Sequence, residues 1–209
     1  YESIAQLCLA DEVPEHIRVH YDTARNLYLY AWHVYRFHVV AEHQALATLE
    51  MALRQALQQR GLIAERESAK KRPKRSSSNR KQPRPPGLAI LMSMAVKAGL
   101  IANSGFTRRE IWVQQLADRR KLAEEFEYMD RNRLDRLIVP DIPAVPTEDE
   151  IAFDWLEQFV SDLPKLRNEY AHGSRSLHAN VLMTFQIVCD LINQLWIGTT
   201  ARVSEPSRL

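Results

Sequence analysis

An all-α fold is predicted for this chain by three features: only 6 glycines in 209 residues, long stretches without Gly or Pro, and apolar side chains that recur at helical spacing. A hydrophobic content of 45% at this length allows one sizeable core and is short for two. A single domain over 1–209 is therefore expected.

From Asp22 to Arg60 there is no Gly or Pro, and Leu27, Ala31, Val34, Ala41, Ala45, Leu49, Ala52 and Ala56 keep close to a helical period. One long helix, or two stacked collinearly, is expected. Asp22 or Thr23 can cap its start, and Gly61 can end it in the left-handed conformation. Tyr21, Tyr28, Tyr30, Trp32, Tyr35 and Phe37 make this stretch aromatic. Such rings can stack on bases, but around a central helix they are read as core or subunit contacts. His16 and His20 have the one-turn spacing of metal ligands, yet nothing in the sequence supplies the remaining ligands. Neither a metal nor a cofactor is expected.

Residues 65–86 contain almost no apolar side chain and cannot offset their ordering entropy by burial. This segment is read as a disordered basic loop. Its cations, Lys70, Lys71, Arg72, Lys74, Arg75, Arg80, Lys81 and Arg84, stand without an acid among them. Taking these 8 from the 28 Lys and Arg leaves 20 basic residues against 26 acidic ones, so the positive charge is concentrated here. The loop is expected to attract RNA through its phosphates, without sequence preference.

A second helix is expected from Leu88 to Ile101, stopped at Asn103, Ser104 and Gly105. Thr107 is expected to cap a third, with Leu122, Phe126, Met129 and Leu137 on its buried face. Pro140, Pro143 and Pro146 predict an extended connector. Thr147, with Glu150 three residues on, is a capping box. The helix that it opens contains Ile151, Trp155, Phe159 and Val160. A final helix from about Leu177 to Ile197 should bury Val181, Phe185, Val188, Ile192 and Leu195.

Gln186, Asp190, Asn193 and Gln194 interrupt the most apolar stretch, so no membrane span is expected. Cys8 and Cys189 form no C-x-x-C pair and no disulfide frame, which fits a reducing cytoplasm. There is no glycine-rich phosphate loop.

Chemistry concentrates between the last two helices, where Leu166, Arg167, Asn168, Glu169, Tyr170, Ala171, His172 and Gly173 follow one another. Arg followed by a polar residue, with His four to six positions after the Arg, resembles the signature of the HEPN superfamily of RNA-cleaving domains. A long early helix containing Leu49, Glu50, Leu53 and Arg54, followed by a late helix with the motif, is similar to that family's helical bundle. The resemblance implies a HEPN-like bundle and a metal-independent endoribonuclease, toxin-like or part of defence. His172 would handle a proton of the ribose 2′-hydroxyl, Arg167 would hold the scissile phosphate, and a cyclic phosphate would be left. It also implies RNA as partner, a homodimer in which two motifs meet, and an antitoxin-like protein as a further partner.

The residue types suit that chemistry. Imidazole titrates near neutrality, and guanidinium stays charged and can bond two phosphate oxygens. On a helix Asn168 and His172 share a face, and Arg167, about 100° round, is long enough to reach the same phosphate. Glu42 or Glu50 can cross from the early helix to orient Arg167, with Glu50 preferred. Lys165 and Tyr170 complete the supporting set. Because Pro164 suits a first turn, a new helix is expected to begin at Ser161 or Asp162, with Lys165 and Arg167 in an anion-binding first turn. Two alternatives stay open. Arg167 can pair with Asp162 or Glu169, leaving His172 an ordinary helix-terminal residue, or the same groove can serve a non-catalytic module that binds a nucleotide or protein.

Overall fold

The computed structural model describes residues 2–64, 85–139, 142–172 and 180–197, and all regular structure among them is helical. The helices are α1 (Glu2–Ala5), α2 (Glu15–Tyr30), α3 (Phe37–Gln59), α4 (Leu88–Lys97), α5 (Arg109–Asn132), α6 (Glu148–Ala152), α7 (Trp155–Ala171) and α8 (Val181–Ile197). A 3-10 turn, Asn103–Gly105, precedes α5. The cations of the basic loop, from Lys70 to Arg84, lie outside the described residues.

The stretch from Asp22 to Arg60 is neither one helix nor a collinear pair. α2 already begins behind Pro14, whose φ of −51° suits a helix entry. Asp22 and Thr23 therefore sit inside the helix and do not cap it. Asp22 pairs with Arg25 at 2.8 Å, and Thr23 Oγ1 donates to the Val19 carbonyl. The chain reverses over 31–36, where Trp32, His33, Val34 and Tyr35 are indifferent helix formers. α3 then runs back along α2. His16 Nε2 meets Gln55 Oε1 at 2.7 Å and Tyr28 meets His38 edge-on at 5.1 Å, pairings that require an antiparallel hairpin. Gly61 ends α3 at φ +67°, where a Cβ would be strained.

α3 and α8 form the centre. α3 packs on α2, α4, α7 and α8, and its Ala41, Ala45, Ala52 and Ala56 let those neighbours approach closely. On α8, 13 of 17 residues are buried, including all five expected apolar positions. The polar residues that break its apolar run are buried as well, and they hold loops. Asn193 Oδ1 accepts from the Ala10 amide at 2.8 Å, and Gln194 Oε1 from the Ala102 amide at 2.8 Å. Asp190 Oδ2 accepts from the amide and hydroxyl of Thr107, at 3.0 and 2.9 Å. Thr107 is thus tied to α8 and does not cap α5, whose N-terminal boundary is Arg108. No disulfide joins Cys8 and Cys189; the Cys189 thiol donates to the Cys8 carbonyl at 3.3 Å.

α4 stops earlier than expected, at Lys97, where Gly99 turns the chain at φ +67°. α5 buries Trp112, Val113 and Ala117, then leaves the core. Leu122 and Phe126, expected on a buried face, are exposed, and Leu137 lies beyond the helix end. The connector and α6 run back along this part: Gln114 donates to the Ala144 carbonyl, Lys121 to that of Ile142 and Arg120 to that of Val145, and Arg120 also pairs with Glu150 of α6 at 2.9 Å. The Thr147–Glu150 capping box is present. The helix that it opens ends at Ala152, and Asp154 caps α7 by accepting from the Glu157 amide at 3.1 Å. Pro164 starts no new helix. α7 runs through it, forgoing only the bond that a residue with an N–H would donate to Val160. No helix among the described residues is long and apolar enough to cross a membrane.

Among the described glycines Gly105 makes the closest approach, since a Cβ built there overlaps the Gln194 carboxamide that holds the Ala102 amide. Gly105→Ala should destabilise the fold by roughly 2 kcal/mol or more in urea unfolding. Gly87→Ala, whose Cβ meets open space, should stay within about half a kcal/mol of the parent. Equal midpoints for the two variants would show that the Gln194 contact does not matter.

Candidate active site

Where α3 crosses α7, the inner side of α7 presents Leu163, Pro164 and Tyr170, all buried, and half-buried Arg167. Its outer side presents Lys165, Asn168, Glu169 and Ala171, followed by His172 at the C-cap, all exposed. α3 answers with Glu42, His43, Glu50 and Arg54. His43 and Glu50 are two turns apart and Arg54 is one turn further, so the three line one stripe of the helix.

Glu50 is the hinge of the charged contacts. Its Oε2 takes Arg167 Nη2 at 3.0 Å and its Oε1 takes Arg54 Nη2 at 3.1 Å. Arg54 Nη2 also donates to the Pro86 carbonyl at 2.9 Å. One carboxylate thus holds two guanidiniums, and the trio retains a net positive charge. His43 feels the same cation: partial burial, and then the nearby Arg167 charge, lower its pKa below the ordinary 6.5. His43 is a residue that the reading of the sequence did not single out. Its two-turn spacing from Glu50 is the signal that could have singled it out.

Glu42, passed over in favour of Glu50, has a different task. Only 1% exposed, it accepts from the Tyr170 hydroxyl and the Thr184 hydroxyl, each at 2.5 Å, and so joins α3, α7 and α8. Burial and then the bond to Glu42 push the Tyr170 hydroxyl far above the ordinary tyrosine range, and it stays a donor. Tyr170 therefore anchors the helix that carries the motif.

The side chains of Arg167, Asn168 and His172 make no hydrogen bond to one another among the described residues. Arg167 turns inward to Glu50, not to Asp162, which takes Lys165 at 3.1 Å. Lys165 also bonds Ser161 at 2.8 Å and stays in solvent, away from the crossing. Because α7 is continuous, no helix N-terminus lies at Lys165 and Arg167, and the anion-binding first turn is absent. The His172 amide closes the end of α7 on the Asn168 carbonyl at 3.1 Å. The side chains of Asn168 and His172 make no hydrogen bond among the described residues. His16 and His20 are taken up by Gln55 and Gln44, and no three His, Cys, Asp or Glu side chains among the described residues converge as metal ligands.

Glu42→Ala should lower stability by about 2–4 kcal/mol, because it strands two buried hydroxyls and opens a cavity. The melting temperature should fall by roughly 4 °C or more, and a smaller loss would mean that the hydroxyls find other acceptors. For His43 the folded pKa is depressed, so the unfolded chain binds the proton first. Stability is intact above about pH 6.5 and falls with acidification until the folded pKa is passed. His43→Gln should lose less melting temperature between about pH 7 and pH 5 than the parent does. Parallel curves for parent and variant would show that His43 is not desolvated.

The chain has no significant match among protein-family models, curated proteins or solved structures.

Proposed function

We propose that this chain is a metal-independent endoribonuclease of the HEPN type, toxin-like or part of a defence system, with Arg167, Asn168 and His172 as its chemical centre. One observation carries the reading. Glu50 holds Arg167 in a trio with Arg54 that retains a net positive charge, while Asn168 and His172, one turn apart on the adjoining flank, offer exposed and uncommitted side chains. In the reaction His172 accepts the proton of a ribose 2′-hydroxyl as that oxygen attacks the neighbouring phosphorus. The bond to the 5′-oxygen breaks, this oxygen takes up the proton that the His172 imidazolium gives back through water, and a 2′,3′-cyclic phosphate remains. Arg167 stabilises the added charge on phosphorus, and Asn168 orients phosphate or imidazole. Because Arg167 turns inward to Glu50 while Asn168 and His172 lie at the exposed rim, a homodimer that apposes two α7 ends would complete the cleft. The cations between Lys70 and Arg84 would draw RNA toward it.

A second reading, a non-catalytic module binding a protein or nucleotide, is favoured by the Arg167–Glu50 pair itself, which already engages one side of the guanidinium. Incubation with total RNA in EDTA separates the two. The nuclease reading expects cleavage that His172→Ala lowers by roughly two to four orders of magnitude, with RNA affinity little changed. Arg167→Ala should impair both binding and rate, and Arg167→Lys should recover binding more than rate. His172 is exposed, so its replacement should leave the melting temperature close to that of the parent. RNA left intact by the parent protein at every concentration would remove the nuclease reading and leave the binding module.

A further inference from the structure

We infer that the α2–α3 turn is a stacking platform for unpaired bases, so that the substrate of the neighbouring motif is single-stranded RNA. The inference rests on the RNA-directed reading of that motif and adds to it a site and a substrate class. The aromatic residues here were expected in the core or against a second subunit, and only some of them are buried. Tyr21 is buried and Tyr28 and Phe37 are half-buried, but Tyr30, Trp32 and Tyr35 are 63%, 90% and 60% exposed. Single exposed aromatics are ordinary on any surface, whereas three within six residues form a patch.

Tyr35 and the backbone of the turn are pre-organised. Buried Phe185 of α8 meets Tyr28 at 5.6 Å, Tyr28 meets His38 at 5.1 Å, and His38 meets Tyr35 at 5.2 Å, each edge-on. This line of rings fixes Tyr35 from the core outward. The turn's own backbone is closed by the Phe37 amide on the Val34 carbonyl at 2.8 Å and the His38 amide on that of Tyr35 at 3.1 Å. A ligand that stacks here orders little that is not already ordered.

Charge selects the occupant. Between Asp22 and Glu42 the chain has no acidic side chain, Glu42 is buried on its own donors, and Arg25 is engaged by Asp22. Arg36 and His33 stand exposed among the rings. Aromatic faces beside a cation, in a segment with no exposed carboxylate of its own, suit a nucleic-acid strand better than a second copy of this chain. The bases must be unpaired, because those of a duplex already stack on each other.

Position links the platform to the motif. Arg36 precedes Glu42 by six residues, roughly 9 Å of helix. Tyr170 bonds Glu42, and His172 lies two residues beyond Tyr170 at the end of α7. Turn and imidazole thus occupy one end of the bundle, where a strand whose bases rest on Trp32 and Tyr35 can run past His172.

The test uses the full chain and labelled 2′-O-methyl oligoadenylate of about 12 nucleotides, which lacks the attacking hydroxyl, beside an abasic strand of equal length and a duplex. The base-bearing single strand should bind about tenfold or more tighter than the abasic strand and than the duplex, as stacking requires. Trp32→Ala combined with Tyr35→Ala should erase that preference while the circular dichroism melt is unchanged. Equal affinity for abasic and base-bearing strands, no binding at all, or a preference that survives the double substitution would overturn the inference. So would a double variant that dissociates from dimer to monomer yet keeps its base preference, which would assign the turn to a second copy. Base-dependent binding without cleavage of total RNA would leave the platform standing and remove the nuclease, and cleavage without base preference would do the reverse.

Discussion

A carboxylate taken out of water must find donors, and Glu42 is such a carboxylate near the start of the helix that packs on α2, α4, α7 and α8. The donors that it finds are the hydroxyls of Tyr170 on α7 and Thr184 on α8, so one desolvated side chain sets how three helices meet. The same constraint acts along α8. Asp190, Asn193 and Gln194 are buried among apolar residues, and each collects a backbone amide from a loop that would otherwise leave that amide unpaired. The loops are located by the polar atoms of the core, while the apolar ones supply the bulk of the burial.

This scaffolding explains the character of the candidate site. Tyr170 fixes the end of α7 in depth and rotation, and Glu50 then draws Arg167 inward on the same helix face. With 3.6 residues per turn, the inward turn of positions 167 and 170 sends 168 and 172 outward. The site is therefore divided. A held cation lies at the crossing, and an imidazole and an amide lie in solvent at the rim.

The core ends abruptly at two places. α5 passes beyond it after Ala117, where the returning connector and Glu150 of α6 meet it on one side. The α2–α3 turn passes beyond it at the other place, with rings that a line of edge-on contacts holds in position instead of burying. Periodicity treats an apolar residue at helical spacing as buried, and at Leu122 and Phe126 that inference fails, because spacing fixes direction but not what stands opposite.

Local chemistry made much of the fold legible. The scarcity of Gly identified the helical class, Gly61 and the Thr147–Glu150 box marked helix ends by bonds made within a few residues, and the apolar positions of α8 followed from their period. Reach across the chain was partly legible too, since Glu50 was singled out as the residue to meet Arg167, and it does. Tertiary structure alone decided the rest. The reversal at 31–36, the passage of α7 through Pro164, the fastening of Thr107 to Asp190 and the facing of His43 toward Arg167 all depend on partners far away in sequence. A bond closed within one turn is written in neighbouring residues, whereas the free energy of burial and of pairing a desolvated charge belongs to whichever distant side chain the packing brings near.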